Sequence, residues 1–229
     1  MFLERKLQRI PKVFAKATVQ KYHPQIVIIV GSVGKTSTKE AIYTVLEKKF
    51  KVRKSIKNYN NEIGVPLTIL GSPSGEKSFL RWLKIFSKAI FLNIFRDKNY
   101  PQILVLEMAA DKPGDLKYLM DIILRKLLKV VVLTGIAPVH LEFFGSMDNI
   151  FEEKTTPFSY LEKNNFAIVN KDDCDFEKVK KKIHSNLLSY GLNQGSDLKA
   201  QEIDYDKIGL KFEFKYKDKI VSSGLEGAI

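Results

Sequence analysis

The stretch IVIIVGSVGKTS, residues 26–37, joins a β-branched run to a glycine-rich turn. Five consecutive β-branched residues, Ile26 to Val30, predict a buried central strand that ends at Gly31. A helix is predicted directly after the turn, from about Thr36 to Lys48. A strand, a glycine turn and a helix in this order place backbone N–H groups and a helix N-terminus where they can bind phosphate oxygens.

The turn therefore predicts a nucleotide-binding loop. In the standard loop, G-x-x-x-x-G-K-[ST], the lysine reaches the β- and γ-phosphates and the hydroxyl residue binds Mg²⁺. Lys35 and Thr36 occupy these two positions, whereas Ile29 stands where the first glycine is usual. The predicted ATP contacts are Gly31, Ser32, Val33, Gly34, Lys35, Thr36 and Ser37.

Short apolar runs recur along the chain, and helical stretches separate them. Strands are predicted at 51–55, 103–108, 130–134, 166–170 and 187–190, and helices at about 78–96, 114–127, 148–163 and 174–185. This alternation predicts an α/β fold with a mostly parallel sheet and helices on both faces. Residues 210–219 alternate between apolar and polar, which predicts an antiparallel β extension at the C-terminal end. No element is predicted over 222–229.

The composition narrows the function classes. The chain has 229 residues, of which 45% are hydrophobic, so it is long enough for an ordinary globular domain. Its one cysteine, Cys174, excludes an intrachain disulfide and a cysteine-rich metal site. The formal charge of +12 makes polyanions candidate partners. Nucleic acid is not expected, since no recognition motif is present.

The N-terminal segment, residues 1–24, is predicted to form a basic amphipathic helix. Two roles are open: the helix lies on an anionic membrane surface, or it packs on its own domain or on a partner subunit. The interruption of the pattern at Pro11 favours packing. No run approaches the ~18–20 apolar residues of a membrane span, and no signal peptide is recognisable. A cytoplasmic location is therefore expected, with peripheral attachment at the inner membrane face as an option.

Three further loops carry candidate site residues. Glu107 ends the predicted strand 103–108, and His140 follows the strand at 130–134. Ligands of open parallel sheets bind outside the carboxyl ends of the strands, where both residues are expected. Asn60 and Asn61 belong to a cluster of asparagines whose amides suit a ligand-positioning loop.

Together with the phosphate loop, four stretches resemble the central ATP-binding domain of the Mur ligase family, most closely the type that adds D-alanyl-D-alanine. These stretches are KNYNNEIGVPLTIL (57–70), VLEMAADKPGDL (105–116), LTGIAPVHLEFFGS (133–146) and AIVNKDD (167–173). They follow one another in the family's order. The resemblance implies a P-loop-type central domain over 25–224, with 225–229 as the start of a linker to a further C-terminal domain. The chain is then expected to carry the central domain only.

The resemblance also implies an activity. An ADP-forming ligase of peptidoglycan synthesis uses ATP and Mg²⁺ to convert a carboxylate into an acyl phosphate, which an amine then attacks. The implied substrates are a UDP-MurNAc-tripeptide and D-Ala-D-Ala. Two alternatives stay open: a ligase for another carboxylate, of the folate or polyglutamate type, and a non-catalytic nucleotide-binding or membrane-associated scaffold.

By the same resemblance, each candidate residue receives a role. Lys35 contacts the phosphates, and Thr36 with Glu107 binds one Mg²⁺. His140 binds a second Mg²⁺ together with Lys154, which would act as a carbamate. The asparagine pair, Asn60 and Asn61, would lie near the γ-phosphate and the substrate.

Overall fold

A computed structural model describes residues 2–56, 58–205, 209–216 and 219–226. Among these residues, no helix combines the length and apolar character that crossing a bilayer requires. The described helices are α1 (Phe2–Tyr22), α2 (Lys35–Leu46), α3 (Gly64–Leu70), α4 (Phe79–Ile94), α5 (Asp115–Met120), α6 (Leu141–Phe144), α7 (Met147–Thr155) and α8 (Phe176–Lys180).

Parallel strands form the larger part of one mixed sheet. They are β1 (Gln25–Val30), β2 (Val52–Lys54), β3 (Ile103–Glu107), β4 (Leu128–Leu133), β5 (Phe166–Asn170) and β6 (Asn186–Gly191). Their order is β2-β3-β1-β4-β5-β6, so β1 lies between β3 and β4. The carboxyl ends of these three central strands therefore face one edge of the sheet, and their loops lie side by side there.

An antiparallel extension completes the sheet. Strand β7 (Leu198–Tyr205) pairs parallel with β6, and then antiparallel with β8 (Gly209–Tyr216), which pairs antiparallel with β9 (Lys219–Glu226). The predicted α/β fold with a C-terminal antiparallel extension is confirmed. The expectation of no element after residue 222 is wrong as far as Glu226, and residues 227–229 lie outside the described part of the chain. The domain bounds of 25–224 and a linker from 225 stay a prediction.

The helices predicted over 114–127 and 148–163 are shorter in the structure. Helix α5 ends at Met120, and the chain continues through buried Ile122 and Ile123 to a short 3₁₀ turn. Helix α7 ends at Thr155 and is followed by a 3₁₀ segment that contains Pro157. Proline has no backbone N–H to continue the α-helical hydrogen bonding, which explains the change.

The helix predicted over 174–185 is also shorter. The Asp175 carboxylate accepts a hydrogen bond from Lys178 N, so helix α8 starts at Phe176. It ends at Lys180, where Lys182 N and Ile183 N bond to carbonyls three residues back, a 3₁₀ pattern. The sequence pattern alone predicted this helix to start too early and to end too late.

Helices cover both faces of the sheet. Helix α2 packs on one face, where Ile42 and Leu46 contact a cluster formed by alternate residues of β1, β3 and β4. The other face carries the larger core, to which α1, α3, α5 and α7 contribute buried residues. Both faces of β1 are therefore buried, as its β-branched run predicts.

The N-terminal helix α1 packs on its own domain. Ala15, Thr18 and Val19 are fully buried, and α1 contacts α3 and α4. The helix continues through Pro11 without a break. Lys12 lies 3.5 Å from the centre of the Tyr118 ring, and its ammonium donates to Asp121. The packing role is thus visible for the second half of α1, from Ile10 onward.

An apolar groove of about 870 Å³ crosses the face of the sheet beside α2. Val130, Val132 and Ile168 form its floor, and Phe212 and Phe214 of β8 form one wall. These two phenylalanines lie on the side of β8 that the alternating pattern predicts to be apolar. The groove is lined by side chains other than those of the phosphate loop, so it is distinct from the site described below.

Candidate functional site

The phosphate loop connects β1 to α2 and adopts a conformation that requires glycine. Gly34, immediately before α2, has φ +77° in the left-handed region, and Gly31 has φ +144°. A Cβ atom on Gly31 would lie 2.1 Å from the Thr134 hydroxyl oxygen. Both glycines therefore bring the backbone into places that a side chain would block or strain.

Ser32 ties this loop to the loop after β4. Its backbone N–H donates to Gly135 O at 2.9 Å, and its hydroxyl donates to Ala137 O at 3.2 Å and accepts from Ala137 N at 2.9 Å. Thr134 Oγ1 donates to the carbonyls of Val30 and Val33. The phosphate loop and the loop that carries His140 are thus fixed to each other.

Lys35 is folded back over the loop. Its ammonium donates to Gly31 O at 2.9 Å and to Ser32 O at 3.0 Å. Burial lowers its pKa, and the negative charges of Glu107 and Asp111 act in the opposite direction. The two carbonyls thus hold the Lys35 ammonium against the backbone of the loop.

Glu107 is the centre of a buried polar cluster at the end of β3. Its carboxylate is 2% exposed and accepts from the Thr36 hydroxyl at 3.1 and 3.3 Å and from Asn60 Nδ2 at 3.0 Å. The ammonium of Lys39, itself fully buried, lies 3.3 Å from Glu107 Oε2. The predicted Thr36–Glu107 pair is thus brought together, with Asn60 beside it.

The two asparagines have different positions. The side chain of Asn60 faces the cluster, and the backbone carbonyl of Asn60 accepts a hydrogen bond from Ala109 N at 2.8 Å. Asn61 is exposed, and its Oδ1 accepts from Gly64 N at 2.9 Å, at the start of α3. Asn61 therefore helps to begin α3, and its contact with a phosphate or substrate stays a prediction.

His140 lies at the start of α6 in the left-handed conformation, with φ 56°. Its Nε2 is 3.5 Å from Asp111 Oδ1, and both side chains are largely exposed. Asp111 also acts electrostatically on Lys35 and on Lys154. Asp111 therefore lies among three of the predicted site residues, and it had been assigned no role from the sequence.

Lys154 is nearly fully buried on α7, at 2% exposure, and its ammonium donates to Ala110 O at 3.1 Å. Burial, reinforced by the positive charge of Lys35, lowers the pKa of Lys154 to about 8. The exposed helix lysine that its position would otherwise suggest is thus excluded. An amine with this pKa is partly neutral near physiological pH, which an exposed lysine is not.

Glu153, the neighbour of Lys154, fixes the loop between β3 and α5. Its two carboxylate oxygens accept from Leu116 N at 2.6 Å and from Gly114 N at 2.8 Å. Sequence reasoning assigned no role to Glu153 or to Lys39. Both lie on amphipathic helices where an acidic or basic residue is usually exposed, so their burial leaves no sequence signal.

The side chains around Glu107 are only partly suited to bind a hard cation such as Mg²⁺. The Thr36 hydroxyl and the Glu107 carboxylate are oxygen ligands of the kind that Mg²⁺ prefers. The nearby Lys39 ammonium competes with a cation for the same carboxylate. Within the described residues, no three His, Cys, Asp or Glu side chains converge into a metal-binding group.

Comparison with known proteins identifies the family. The model of the Mur ligase middle domain matches residues 29–80 and 89–228. A UDP-N-acetylmuramoyl-tripeptide–D-alanyl-D-alanine ligase from Buchnera aphidicola is 30% identical over 176 residues, 76% of this chain and 32% of the relative. The ligase of the same name from Bacillus subtilis is 26% identical, covering 88% of this chain and 37% of the relative. The chain thus spans about a third of the length of these curated relatives.

A solved structure is similar across nearly the whole chain. The MurF ligase from Thermotoga maritima in complex with ADP superimposes with a TM-score of 0.74 at 29% identity. The match covers 96% of this chain and 44% of that one. Family model, relatives and structure agree with the motifs quoted from the sequence. The chain therefore belongs to the Mur ligase family, as a protein with the Mur ligase middle domain.

Proposed function

We propose that this chain binds ATP through the loop Gly31–Ser37 and serves an ADP-forming amide ligase of peptidoglycan precursor synthesis. The observation that carries the proposal is the contact between the Thr36 hydroxyl and the buried Glu107 carboxylate, at the start of the helix that follows the loop. This arrangement provides a hydroxyl and a carboxylate beside a phosphate cradle. The ADP complex of the Thermotoga maritima relative supports the nucleotide assignment.

The residues of the loop have separate tasks. The N-terminus of α2 and the loop N–H groups would bind the phosphate oxygens. Lys35 would exchange its carbonyl contacts for the stronger attraction of the phosphates. Bound Mg-ATP would supply the phosphoryl group: an O–P bond forms to the substrate carboxylate while the bond to ADP breaks, and an incoming amine then displaces phosphate. The protein's part is to hold two anionic reactants together by placing cations around them.

We infer that Thr36 and Glu107 hold one Mg²⁺ and that His140 and Lys154 serve a second. Lys154 would act as a carbamate, in which the neutral amine adds to CO₂ and releases one proton to solvent. At its pKa of about 8, roughly a quarter of the amine is neutral at pH 7.5. Two carbamate oxygens can bind Mg²⁺, which an ammonium group cannot.

The carbamate can be tested without turnover. In ¹³C-bicarbonate, the carbonyl NMR spectrum of the protein should show a carbamate resonance that Lys154→Met lacks. A matched variant, Lys48→Met, removes an exposed lysine and should keep the resonance. A resonance that survives in Lys154→Met would reject the assignment to this residue.

The proposed substrates are a UDP-MurNAc-tripeptide and D-Ala-D-Ala, as the names of the curated relatives suggest. The runner-up functions are ligation of a folate or polyglutamate carboxylate and non-catalytic nucleotide binding. The substrate dependence of ADP formation distinguishes these three functions. Dependence on both proposed substrates supports the first, dependence on a folate and glutamate supports the second, and binding without turnover supports the third.

The nucleotide site itself is tested by calorimetric titration of Mg-ATP and of ADP. Lys35→Ala should weaken ATP binding at least tenfold, since a charge-assisted contact to the phosphates is worth about 1.5–3 kcal/mol. Lys48→Ala changes the charge equally outside the loop and should bind as the parent does. Equal affinity in both variants would show that the nucleotide binds elsewhere.

A membrane surface as the partner of residues 1–24 stays a prediction. In the described half of α1, the residues most deeply buried pack inward against the domain. The side chains before Ile10 lie outside the description.

A further inference from the structure

Helix α4 has an inner face that fixes it to the domain. Ile85, Ala89 and Leu92 are buried, and the Phe86 ring lies 6.4 Å from that of Phe14 on α1. Asn93 Nδ2 donates to Thr18 Oγ1 at 3.1 Å. These contacts recur at three- and four-residue spacing, so one side of α4 is committed to packing.

The C-terminal end of α4 is also held by α1. The Lys21 ammonium donates to Leu92 O at 2.9 Å and to Phe95 O at 2.7 Å, and the Tyr22 hydroxyl donates to both carbonyls. These groups satisfy carbonyls that the helix end would leave without partners. The orientation of α4 on the domain is therefore fixed from both its side and its end.

The outer face of α4 is apolar and exposed. Phe79 is 78% exposed, Leu80 is 68% exposed and Ile94 is 66% exposed. The remaining exposed apolar side chains of this face are Leu83, Ile90, Phe91 and, just after the helix, Phe95. Positions 79, 83, 90 and 94 have the spacing of a single stripe along the helix. Contiguous exposed apolar surface of this kind marks an interaction site.

The charge of α4 is of one sign. Over Phe79–Ile94 the sequence FLRWLKIFSKAIFLNI contains Arg81, Lys84 and Lys88 and no acidic residue. Arg81 pairs with Glu76 before the helix, whereas the Lys88 ammonium donates to Gly71 O. Lys84 is exposed. An apolar stripe bordered by basic residues is the pattern of helices that lie in the interface of anionic membranes.

This helix coincides with a gap in the family match. The middle-domain model matches up to residue 80 and again from residue 89. Residues 81–88, the centre of α4, are thus outside the matched part of the chain. This unmatched stretch contains the three basic residues of α4 and the exposed Leu83, whereas the other exposed apolar residues of the outer face lie in matched parts of the chain.

We propose that the outer face of α4 docks the protein on an anionic lipid surface. The apolar stripe enters the boundary between headgroups and acyl chains, and the exposed Lys84 contacts lipid phosphates. Charge complementarity selects this occupant over a second copy of the chain, because a surface of this strongly basic protein offers Lys84 no comparable sheet of negative charge.

The test is flotation with vesicles of phosphatidylglycerol and phosphatidylcholine in equal parts, against vesicles of phosphatidylcholine alone. The protein should float with the first and stay behind with the second. Lys84→Glu should lower the partition coefficient about fivefold or more, since each surface lysine contributes substantially to binding at anionic headgroups. The double variant Leu80→Ser/Phe91→Ser should lower it about tenfold or more through lost apolar burial.

Matched controls carry the same changes elsewhere. Lys180→Glu alters the charge equally on α8, and Val45→Ser/Ile220→Ser removes two exposed apolar groups away from α4. Both should float as the parent does. The α4 variants should keep the ADP affinity and circular dichroism of the parent, which separates lost docking from lost folding or a failed nucleotide site.

Three results would overturn the proposal. The first is a parent protein that does not float with anionic vesicles, and the second is a loss of flotation in the control variants as large as that in the α4 variants. The third is self-association of the parent in sedimentation, without vesicle binding, that Leu80→Ser/Phe91→Ser abolishes; this would assign the face to a second copy of the chain.

Discussion

The buried pair of Lys39 and Glu107 permits a prediction with a defined magnitude. Their charged atoms are 3.3 Å apart, and both side chains are almost completely buried. At an effective dielectric constant of about 20, this separation gives an attraction of about 5 kcal/mol. Replacing Lys39 by methionine removes the cation and leaves the carboxylate buried. Breaking a buried pair on one side costs about 3–5 kcal/mol, so Lys39→Met should lower the free energy of unfolding by that amount.

The assay is a double-mutant cycle in urea at neutral pH. Glu107→Gln removes the negative charge but keeps an oxygen that can accept from Thr36 or Asn60. If the pair is coupled as described, Lys39→Met/Glu107→Gln loses less stability than the sum of the single variants, by about 2–3 kcal/mol. Lys48→Met, an exposed lysine after α2, is the matched control and should change stability by less than about 0.5 kcal/mol.

Additive losses in the cycle would refute the reasoning. They would mean that Glu107 is stabilised by its contacts with Thr36 and Asn60 alone. A Lys39→Met protein as stable as the parent would refute it equally, since the carboxylate would then tolerate burial without its cation.

Three further predictions follow from buried groups around the site. Folding lowers the pKa of Lys154 from 10.5 to about 8. Between these two pH values the unfolded chain binds the proton more tightly than the folded chain does. The free energy of unfolding therefore rises with pH across this range. Relative to Lys154→Met in CO₂-free buffer, the parent should gain about 1.3 kcal/mol between pH 7 and pH 9 in urea unfolding, and an equal pH slope in both proteins would contradict this. Glu153→Gln replaces one acceptor oxygen by an NH₂ group, so either Gly114 N or the buried Leu116 N loses its acceptor; this should cost about 1–3 kcal/mol in thermal or urea unfolding, and a change within the error of Glu152→Gln would argue against it. A Cβ on Gly64 would lie 2.4 Å from Tyr59 Cα, so Gly64→Ala should displace the asparagine loop, lower stability by about 1–3 kcal/mol and weaken ADP binding in calorimetry, whereas unchanged values would show that the loop can yield.

The phosphate loop and the strand and helix on either side of it could be predicted because their signals are local. The β-branched run of β1, the glycines and the helix after them are neighbours in the sequence. The rule that ligands meet the carboxyl ends of parallel strands placed Glu107 near the loop, and the resemblance to the Mur ligase family implied its pairing with Thr36. Only the loop itself depended on spacing over a few residues, since Glu107 lies 71 residues after Thr36.

Other parts could not be predicted, for different physical reasons. Helix α3 is buried on every side, so it lacks the polar face that makes a helix recognisable by period. Asp111 is placed near Lys35 and Lys154 only by the way its loop folds over β3. The low pKa of Lys154 comes from burial, which no local pattern encodes. Strands β7 and β9 are defined mainly by their pairing with β8.

The close approach of Gly31 to Thr134 links two positions that are far apart in the sequence. Any side chain at 31 would meet the Thr134 hydroxyl first and the Gly135 backbone, at 3.1 Å, next. Removing the hydroxyl would relieve only the first of these contacts, and the φ of +144° would remain costly. A smaller residue at 134 is therefore not enough to make a side chain at 31 tolerable, because the backbone contact and the φ remain. Libraries that vary this loop should keep glycine at 31.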